Sequence, residues 1–392
     1  MQIALFVLAV ILFIGLILGH EWGHFIVARR NGVDAEEFGL GFPPRAYGRR
    51  LKSGLLLSVN WLPLGGFVKL KGEHDNDTAK GSFGAAALGS KTKILLAGVA
   101  MNALIGLVLL TILGWVGMPV LISKDYNGQD QFTIKNDTHV IQQQVEAGLV
   151  IDGSPAQKIG LSSQDIITSV SYKNQHDNIN TTSQLHDATT RFAGKKVTLT
   201  YKHSGKIETK DVQLLGAKEV EASNGQKGYL GVSPNQITIQ RSTWSAPLTA
   251  IGFASQLVWL TVQGLGHAIG GLGSLIAGLV TGNHAARVNG QTAAESQVGG
   301  PVAIMDVLWN SGSLGFNFVI ALIALISLTL ALMNVLPIPA LDGGRLFMML
   351  VSRGIFKKPL APETEEKIVG AGMVVLLALM VLITIVDVRR FF

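Results

Sequence analysis

The stretch that decides the fold lies near the start of the chain and reads Gly19-His20-Glu21-Trp22-Gly23-His24-Phe25-Ile26-Val27-Ala28. It continues an apolar run that begins at Ile3, which predicts one long helix entering a membrane. Residues four apart share one face of a helix, so His20 and His24 can reach the same ion while Glu21 lies beside it. This H-E-x-x-H pattern predicts a catalytic zinc site with a glutamate that takes a proton from water.

Coincidence is the alternative explanation of the pattern, since a lone histidine is usually just a hydrogen-bonded polar residue. Three ionisable groups within five residues at membrane depth are costly, however, and such groups usually mark function. The metal interpretation is therefore favoured.

The composition is that of a membrane protein, with 48% hydrophobic residues, 15% charged residues and a mean hydropathy of +0.38. Four apolar runs are long enough to be candidate spans: Ile3 to Leu18, Ile94 to Val116, Phe316 to Leu336 and Ile368 to Ile385. The N-terminus carries no positive region and no small-residue cleavage site, so we expect the first span to remain as an anchor.

The charged residues and the lack of cysteine narrow the chemistry. Without cysteine, disulfides and thiolate ligands are excluded, and a metal must be held by histidine and carboxylate. The net charge of +6 is not gathered into one basic stripe, which argues against nucleic acid. Many basic residues lie instead between the first two spans and predict that this segment is cytoplasmic, whereas Arg389 and Arg390 weakly oppose that topology. They include Arg29, Arg30, Arg45, Arg49, Arg50, Lys52, Lys69, Lys71, Lys80 and Lys91.

A third metal ligand must come from another element, and the end of the third span offers one. It reads Met333-Asn334-Val335-Leu336-Pro337-Ile338-Pro339-Ala340-Leu341-Asp342-Gly343-Gly344-Arg345. The two prolines stop the helix, and Asp342 follows them at once. By itself this would be an ordinary Pro-Gly turn with Asp342 facing water. Beside the two histidines, Asp342 is the better candidate for the third ligand.

These two motifs together resemble those of the site-2 protease family of intramembrane zinc metalloproteases. Within that family, the sequence is most similar to the bacterial regulator of sigma-E protease type. The resemblance implies that His20, His24 and Asp342 bind one Zn²⁺ per chain and that Glu21 is the general base. It also implies that Asn334 lies near the substrate or the oxyanion.

Further motifs extend the resemblance over most of the chain: Phe38-Gly39-Leu40-Gly41-Phe42, Pro63-Leu64-Gly65-Gly66-Phe67, Gly98-x-x-x-Asn102 and Gly300-Pro301-Val302-Ala303-Ile304. Besides Asn334, we expect substrate contacts at Asn102, Gly65, Gly66 and Phe67. The strand-forming segment from Leu55 to Val68 is expected to be a membrane-associated β-hairpin that exposes an edge to an extended substrate. The alternative is a hairpin that serves only for packing.

The polar segment between the second and third spans resembles one PDZ domain of the protease-associated kind. Leu149 to Ala156 predicts a strand and a Gly-Ser-Pro turn, and a short helix and a second strand follow. Thr181 to Phe192 predicts a helix and Lys196 to His203 a strand. Relatives of the sigma-E type often carry two such domains, and Gln164 replaces a usual glycine. We expect size gating of substrates more than peptide capture.

The apolar segment from Ala246 to Val280 is predicted to lie on the membrane surface, as the resemblance implies. His20 lies at the inner end of the first span, so Asp342 meets it only if the third span runs in the same direction. Zero or two crossings must therefore intervene. His267 within this segment is interpreted as structural.

The predicted fold class is a polytopic α-helical membrane protein with about four transmembrane helices, a β-hairpin and one inserted PDZ-like α+β domain. Its predicted parts are an N-terminal half of the core (1–120), the PDZ-like domain (121–218), a surface linker (219–292) and a C-terminal half of the core (293–392). The site is expected near the cytoplasmic side of the plasma membrane, with the PDZ-like domain outside the cytoplasm.

The implied substrates are single-span membrane proteins, such as anti-sigma factors or remnant signal peptides, and the implied partner is the lipid bilayer rather than nucleic acid. Two other functions are alternatives. A binding module anchored by its helices would not need an intact Glu21. A membrane zinc peptidase with its catalytic domain outside the bilayer would take a glutamate ligand from a later helix, and no comparably placed glutamate is present.

Overall fold

The computed structural model describes residues 2–73, 75, 77–122, 129–142, 144–163, 165–223, 228–285, 301–311 and 315–391. The chain divides into two compact units. The core unit comprises Met1–Met118, Asp130–Asp137 and Ser242–Phe392, and the inserted unit comprises Pro119–Gln129 and Thr138–Arg241. Each unit is described separately.

The described helices and strands are numbered here in chain order. The helices are α1 (Gln2–Arg30), α2 (Leu88–Val116), α3 (Pro155–Lys158), α4 (Thr182–Arg191), α5 (Ala217–Ala222), α6 (Ala246–Thr281), α7 (Pro301–Ser311), α8 (Phe316–Val335), α9 (Asp342–Gly354) and α10 (Pro362–Phe391). The strands are β1 (Ala35–Arg50), β2 (Leu56–Leu70), β3 (Met118–Pro119), β4 (His139–Gln142), β5 (Glu146–Val150), β6 (Ile166–Tyr172), β7 (Gln175–Asn178), β8 (Lys196–His203), β9 (Lys206–Gln213), β10 (Val232–Asn235) and β11 (Thr238–Arg241).

Several helices of the core unit have the length and apolarity of membrane spans, as the sequence predicts. Among the described residues the candidates are Ile3–Arg30, Leu88–Val116, Ala246–Leu275, Phe316–Val335 and Pro362–Ile385. Three of them contain predicted spans, and Phe316–Val335 ends one residue before the predicted Leu336. The fifth lies in α6, the segment that the sequence analysis places on the membrane surface. Two helices begin earlier than their apolar runs, because polar residues of the first turns at Lys91 and Glu363 are also helical.

The helices of the core unit approach one another closely where small residues face a neighbour. A Cβ at Gly23 of α1 would overlap the backbone of Ala97 on α2, and one at Gly106 would overlap Leu328 of α8. Helices in lipid gain little from the hydrophobic effect between them, so close packing of this kind holds them together. The result places α2 between α1 and α8.

The β1–β2 pair is more folded than a simple hairpin. Residues 37–40 of β1 pair with residues 66–69 on one side and with residues 56–59 on the other. Residues 45–50 pair with residues 56–60. Each long strand therefore bends back on itself, with positive φ angles at Gly41 and Gly65 that favour glycine. Residues 66–70, here called the edge strand, are left at one side of the sheet.

The inserted unit is an α+β structure with its own hydrophobic core. Its larger sheet has the order β10-β5-β6-β8-β9, and β7 pairs with β6. Buried Ile167, Val170 and Leu199 contribute to the core. The predicted helix and strand are confirmed as α4 and β8. Thr181 caps α4 by accepting the backbone N–H of Gln184, whose side chain reaches back to the Thr181 backbone.

The inserted unit extends further along the chain than the boundary at residue 218 drawn from the sequence. The segment expected to open a helical linker contains β10 and β11, which pair with β5 and β4. These two strands are only four residues long, and their partners lie about 80 to 100 positions earlier. Short strands whose pairing is that distant give a weak local signal. Gln164, which stands in place of a usual glycine, lies outside the described residues.

Candidate metal centre

Helix α1 places the three residues of the H-E-x-x-H motif at one level of the core unit. The side chains of His20 and His24 are 13% and 9% exposed. Their rings meet edge to face, with centroids 4.8 Å apart. The helical spacing therefore brings both imidazoles to one point, as the sequence predicts.

Asp342 reaches the same point because the chain folds back sharply after α8. Helix α8 ends at Val335, and the segment with the two prolines returns to begin α9 at Asp342. A Cβ at Gly343 would overlap the carbonyl of Val335, and one at Gly344 would overlap that of Ile338. Only glycine fits so tight a turn at these two positions.

Three ligand atoms form a nearly equilateral triangle. Nε2 of His20 lies 3.2 Å from Nε2 of His24, and Oδ2 of Asp342 lies 3.1 Å and 3.2 Å from these two nitrogens. Bonds of about 2.0 Å to a tetrahedral zinc ion put ligand atoms about 3.3 Å apart. The spacing and the nitrogen–oxygen donor set thus fit a zinc ion. Within the described part of the chain, this trio is the cluster that could hold a metal.

His24 is held in the orientation that a metal ligand requires. Its Nδ1 lies 2.7 Å from the backbone carbonyl of Ile94 on α2. A carbonyl only accepts, so Nδ1 carries the proton and Nε2 presents its lone pair to the centre of the triangle. Histidine ligands of metals are generally fixed in this way by the second ring nitrogen.

Asn102 plays the corresponding part for His20. Its amide lies 3.3 Å from Nδ1 of His20, and the residue is 1% exposed. Its Oδ1 has no hydrogen-bond partner among the described residues. Turning the amide by half a revolution would point Oδ1 at Nδ1–H and leave Nε2 free for the metal. Asn102, which the sequence analysis grouped with the substrate contacts, lies behind His20.

Glu21 lies beside the triangle and lines a cavity of about 570 Å³. The cavity is also lined by His24 and Asp342, by Phe67 and Val68 of the edge strand and by residues of α9 and α10. The backbone N–H of Val68 faces the Glu21 carboxylate. The Glu21 carboxylate, two residues of the triangle and a strand edge thus share one opening.

The other predicted site residues are placed as follows. Gly66 lies against Glu21, since a Cβ there would be 3.4 Å from Glu21 Cγ. Phe67 lines the cavity and stacks on Phe42 with ring centroids 6.5 Å apart. Gly65 forms the bend before the edge strand. Asn334 is half-buried in the last turn of α8 and does not line the cavity.

Sequence reasoning missed several residues around the centre. The carbonyl of Ile94 has no sequence signal, because any residue supplies a backbone carbonyl. Arg345 and Glu73 also line the cavity. Charged residues of these types are common on protein surfaces, so the sequence does not single them out, and only the fold brings them to the cavity. The spacing of Lys91, Ile94, Gly98 and Asn102 along one face of α2 could have been noticed.

Apolar helices that carry two histidines, an aspartate and a neighbouring glutamate around one cavity define a membrane zinc peptidase. The chain belongs to peptidase family M50, whose family profile matches residues 8–379. The resemblance to site-2 proteases is thereby confirmed. The protein is a zinc metalloprotease with zinc as its cofactor.

Curated relatives are similar to the chain over almost its whole length. A Clostridium perfringens protein with the provisional name zinc metalloprotease is 27% identical over 382 residues, covering 97% of this chain and 98% of its own. A Clostridium acetobutylicum protein with the same provisional name is 29% identical over 396 residues, covering 97% and 96%. Zinc metalloprotease RasP of Shouchella clausii is 24% identical over 461 residues, covering 96% and 97%.

Replacing Gly98 tests the packing behind the two histidines. A Cβ at Gly98 would overlap ring atoms of both His20 and His24. We therefore expect Gly98→Ala to displace the imidazoles and to lower zinc content well below that of the wild type. The measurement is zinc per chain in purified protein by elemental analysis. Gly89→Ala on the same helix is the matched control, because a Cβ there meets nothing within 4 Å. Full zinc content in Gly98→Ala would contradict the described packing.

Proposed function

We propose that the protein is an endopeptidase that cleaves the transmembrane segments of single-span membrane proteins. The single observation that carries this proposal is the position of the ligand triangle. It lies on a helix that qualifies as a membrane span and beside the end of another. A peptide bond cleaved at this point would belong to a segment within or at the edge of the bilayer. Anti-sigma factors and remnant signal peptides are substrates of this chemical class.

The proposed zinc ligands are His20, His24 and Asp342. When bound, zinc would lower the pKa of a water molecule and polarise the scissile carbonyl. Glu21 would accept the proton as the water attacks and then give it to the leaving amine. Its place next to the triangle, without being part of it, suits that role.

The edge strand is proposed to hold the substrate in an extended form. Alternate N–H groups of a strand point to opposite sides, and the Lys71 N–H donates to Asp34 on the side of β1. By the same alternation, the N–H groups of Gly66, Val68 and Leu70 point away from β1. That of Leu70 is taken by Glu73 Oε1 at 2.9 Å. Gly66 thus offers its main-chain groups to a substrate strand beside the cavity. The Val68 N–H faces the Glu21 carboxylate and would turn to the substrate on pairing.

Pairing with this edge would solve a problem that a helical substrate presents. Its carbonyls are engaged in helix hydrogen bonds, and unsatisfied backbone groups are costly in lipid. Strand addition exchanges helix hydrogen bonds for strand hydrogen bonds, so the segment unwinds without leaving groups unpaired. Phe67 and Asn334 remain proposed substrate contacts.

The inserted unit is proposed to be a PDZ-like domain outside the cytoplasm that excludes substrates with bulky external parts. Its separate hydrophobic core and its insertion between α2 and α6 support a role distinct from the chemistry. The active site would lie near the cytoplasmic side of the plasma membrane, since basic residues are frequent between α1 and α2. This topology requires an even number of crossings between α2 and α8, which favours α6 on the membrane surface.

Two kinds of variant distinguish the proposed zinc ligands from the proposed general base. His20→Ala, His24→Ala and Asp342→Ala should each lower zinc affinity sharply, because each removes one of three protein ligands. Glu21→Gln should keep the zinc and lose cleavage of a model transmembrane segment, because an amide cannot accept the proton. Zinc affinity and cleavage are measured on the same preparations. Wild-type affinity in Asp342→Ala would refute its assignment as a ligand, and near wild-type activity in Glu21→Gln would refute the base.

Proline at Val68 tests strand addition. The substitution removes an outward N–H while the inward ladder of Phe67 and Lys69 with β1 is kept. Because this N–H also faces Glu21, a loss common to all substrates is ascribed to Glu21, and only the difference between two substrates measures strand addition. We expect cleavage of a stable helical substrate to fall more than that of a helix-destabilised one, with unchanged zinc content. Lys52→Pro is the control, since Lys52 occupies the second position of the turn closed by Gly54 N–H and Leu51 O. Equal effects of Val68→Pro on both substrates would end the strand-addition mechanism.

Deletion of the inserted unit tests gating. The backbone N–H of Thr243 donates to Asp137 Oδ2 at 2.8 Å, so the two ends of the excision already lie side by side. A short glycine linker that joins Asp137 to Ser242 removes Thr138–Arg241, the larger part of the inserted unit, and should therefore preserve the core unit. We expect the shortened protein to cleave a substrate that retains its large external domain, which the full chain spares. If only the trimmed substrate is cut after the deletion, the gating role is wrong.

A further inference from the structure

A buried carboxylate outside the cavity joins two of the elements that build the metal centre. Asp75 lies in the loop between β2 and α2, and its side chain is 7% exposed. Arg353 of α9 approaches it with two nitrogens, Nε at 2.7 Å from Oδ2 and Nη2 at 3.0 Å from Oδ1. Lys91 of α2, whose side chain is 1% exposed, donates to Oδ1 at 2.5 Å. The Asp75 carboxylate thus binds one cationic side chain from α2 and one from α9.

The face of α2 that carries Lys91 is the face that supports the histidines. Lys91, Ile94, Gly98 and Asn102 are separated by three, four and four residues and lie in one line along the helix. The Ile94 carbonyl accepts a hydrogen bond from His24 Nδ1–H, Gly98 lies against both rings, and Asn102 lies against His20. Lys91 is the first residue of this line and contacts Asp75.

Helix α9 repeats the same arrangement from the side of the third ligand. Asp342, Arg345, Met349 and Arg353 are separated by three, four and four residues. Asp342 meets the histidines, and Arg345 donates to the carbonyl of Glu73 at 3.2 Å. Met349 is buried in the hydrophobic cluster that includes Ile94 and Leu95. Arg353 is the last residue of this line and contacts the same carboxylate of Asp75.

We propose that Asp75 is a positioning residue for the metal centre, which it serves by fixing α9 lengthwise against α2 so that Asp342 reaches the two histidines. The proposal rests on the proposed ligand role of Asp342. Two hydrogen bonds from one guanidinium to a carboxylate allow only a narrow range of geometries. Apolar packing alone would allow α9 to slide along α2. A shift of α9 along its axis would carry Asp342 out of the triangle, whose sides are only 3.1 to 3.2 Å long.

The charge state of the network suits this role. Burial acts to raise the pKa of Asp75, but the hydrogen bonds from Arg353 and Lys91 outweigh it and leave the pKa below its usual value. The carboxylate is therefore ionised at neutral pH and keeps both cations bound. Removing a partner from a buried ion pair leaves an uncompensated charge, so truncating Asp75 or Lys91 risks general unfolding. Arg353, with its side chain 35% exposed, is the safer residue to change.

The test is the zinc dissociation constant of the purified full chain, measured by competition with a chromophoric chelator. Arg353→Lys keeps the charge but loses the paired hydrogen bonds, and we expect zinc to bind about tenfold more weakly, as for other residues that position metal ligands. The unfolding temperature of the metal-free protein should stay unchanged. Arg191→Lys is the matched control, since Arg191 contacts Asp177 in the inserted unit. Asp75→Glu is the second variant and should weaken zinc binding similarly.

A double-mutant cycle separates positioning from general stability. In an Asp342→Ala background, Arg353→Lys should leave the zinc dissociation constant unchanged, because there is no third ligand left to position. Equal weakening in both backgrounds, or wild-type affinity of Arg353→Lys alone, would overturn the positioning role. Wild-type affinity of Asp342→Ala alone would instead refute the ligand assignment, and the proposal with it.

Discussion

The rest of the structure depends on one geometric constraint: three ligand atoms must converge to within about 3.3 Å although one of them comes from a distant part of the chain. Asp342 lies 318 positions after His24. Local helix geometry sets the distance between the two histidines, whereas the two sides of the triangle that end at Asp342 depend on tertiary packing. The helices α1, α2, α8 and α9 are arranged so that these two sides close.

The means of closure suit a lipid environment. Apolar surface alone does not specify how helices pack in a membrane, since lipid tails are as apolar as leucine. Glycines therefore decide where segments touch, as at Gly98 behind the imidazoles and at Gly343 and Gly344 in the first turn of α9. Buried polar contacts then fix the register, as Ile94 does for His24 and Asp75 does for α9.

Rigid ligand residues and a strand edge meet at the same cavity. The ligand side is backed by α2, and the same cavity is lined by the edge strand, which has main-chain groups turned away from β1. A fixed set of ligands and a main-chain surface are complementary requirements for the proposed cleavage of a peptide bond in an unwound segment. Main-chain pairing is largely indifferent to side chains, which suits the proposed substrates, whose apolar segments differ in sequence.

The sequence by itself determined the spans, the paired histidines with their glutamate, the aspartate after the two prolines and the main elements of the inserted unit. These features depend on local periodicity and on prolines and glycines, which act over a few residues. It could not place Asn102 behind His20, extend the inserted unit through β10 and β11, or join Asp75 to Arg353. Only the tertiary structure decided these, because each depends on packing between segments about 80 to 280 positions apart, and a lone charged or amide side chain carries no signal of its distant partner.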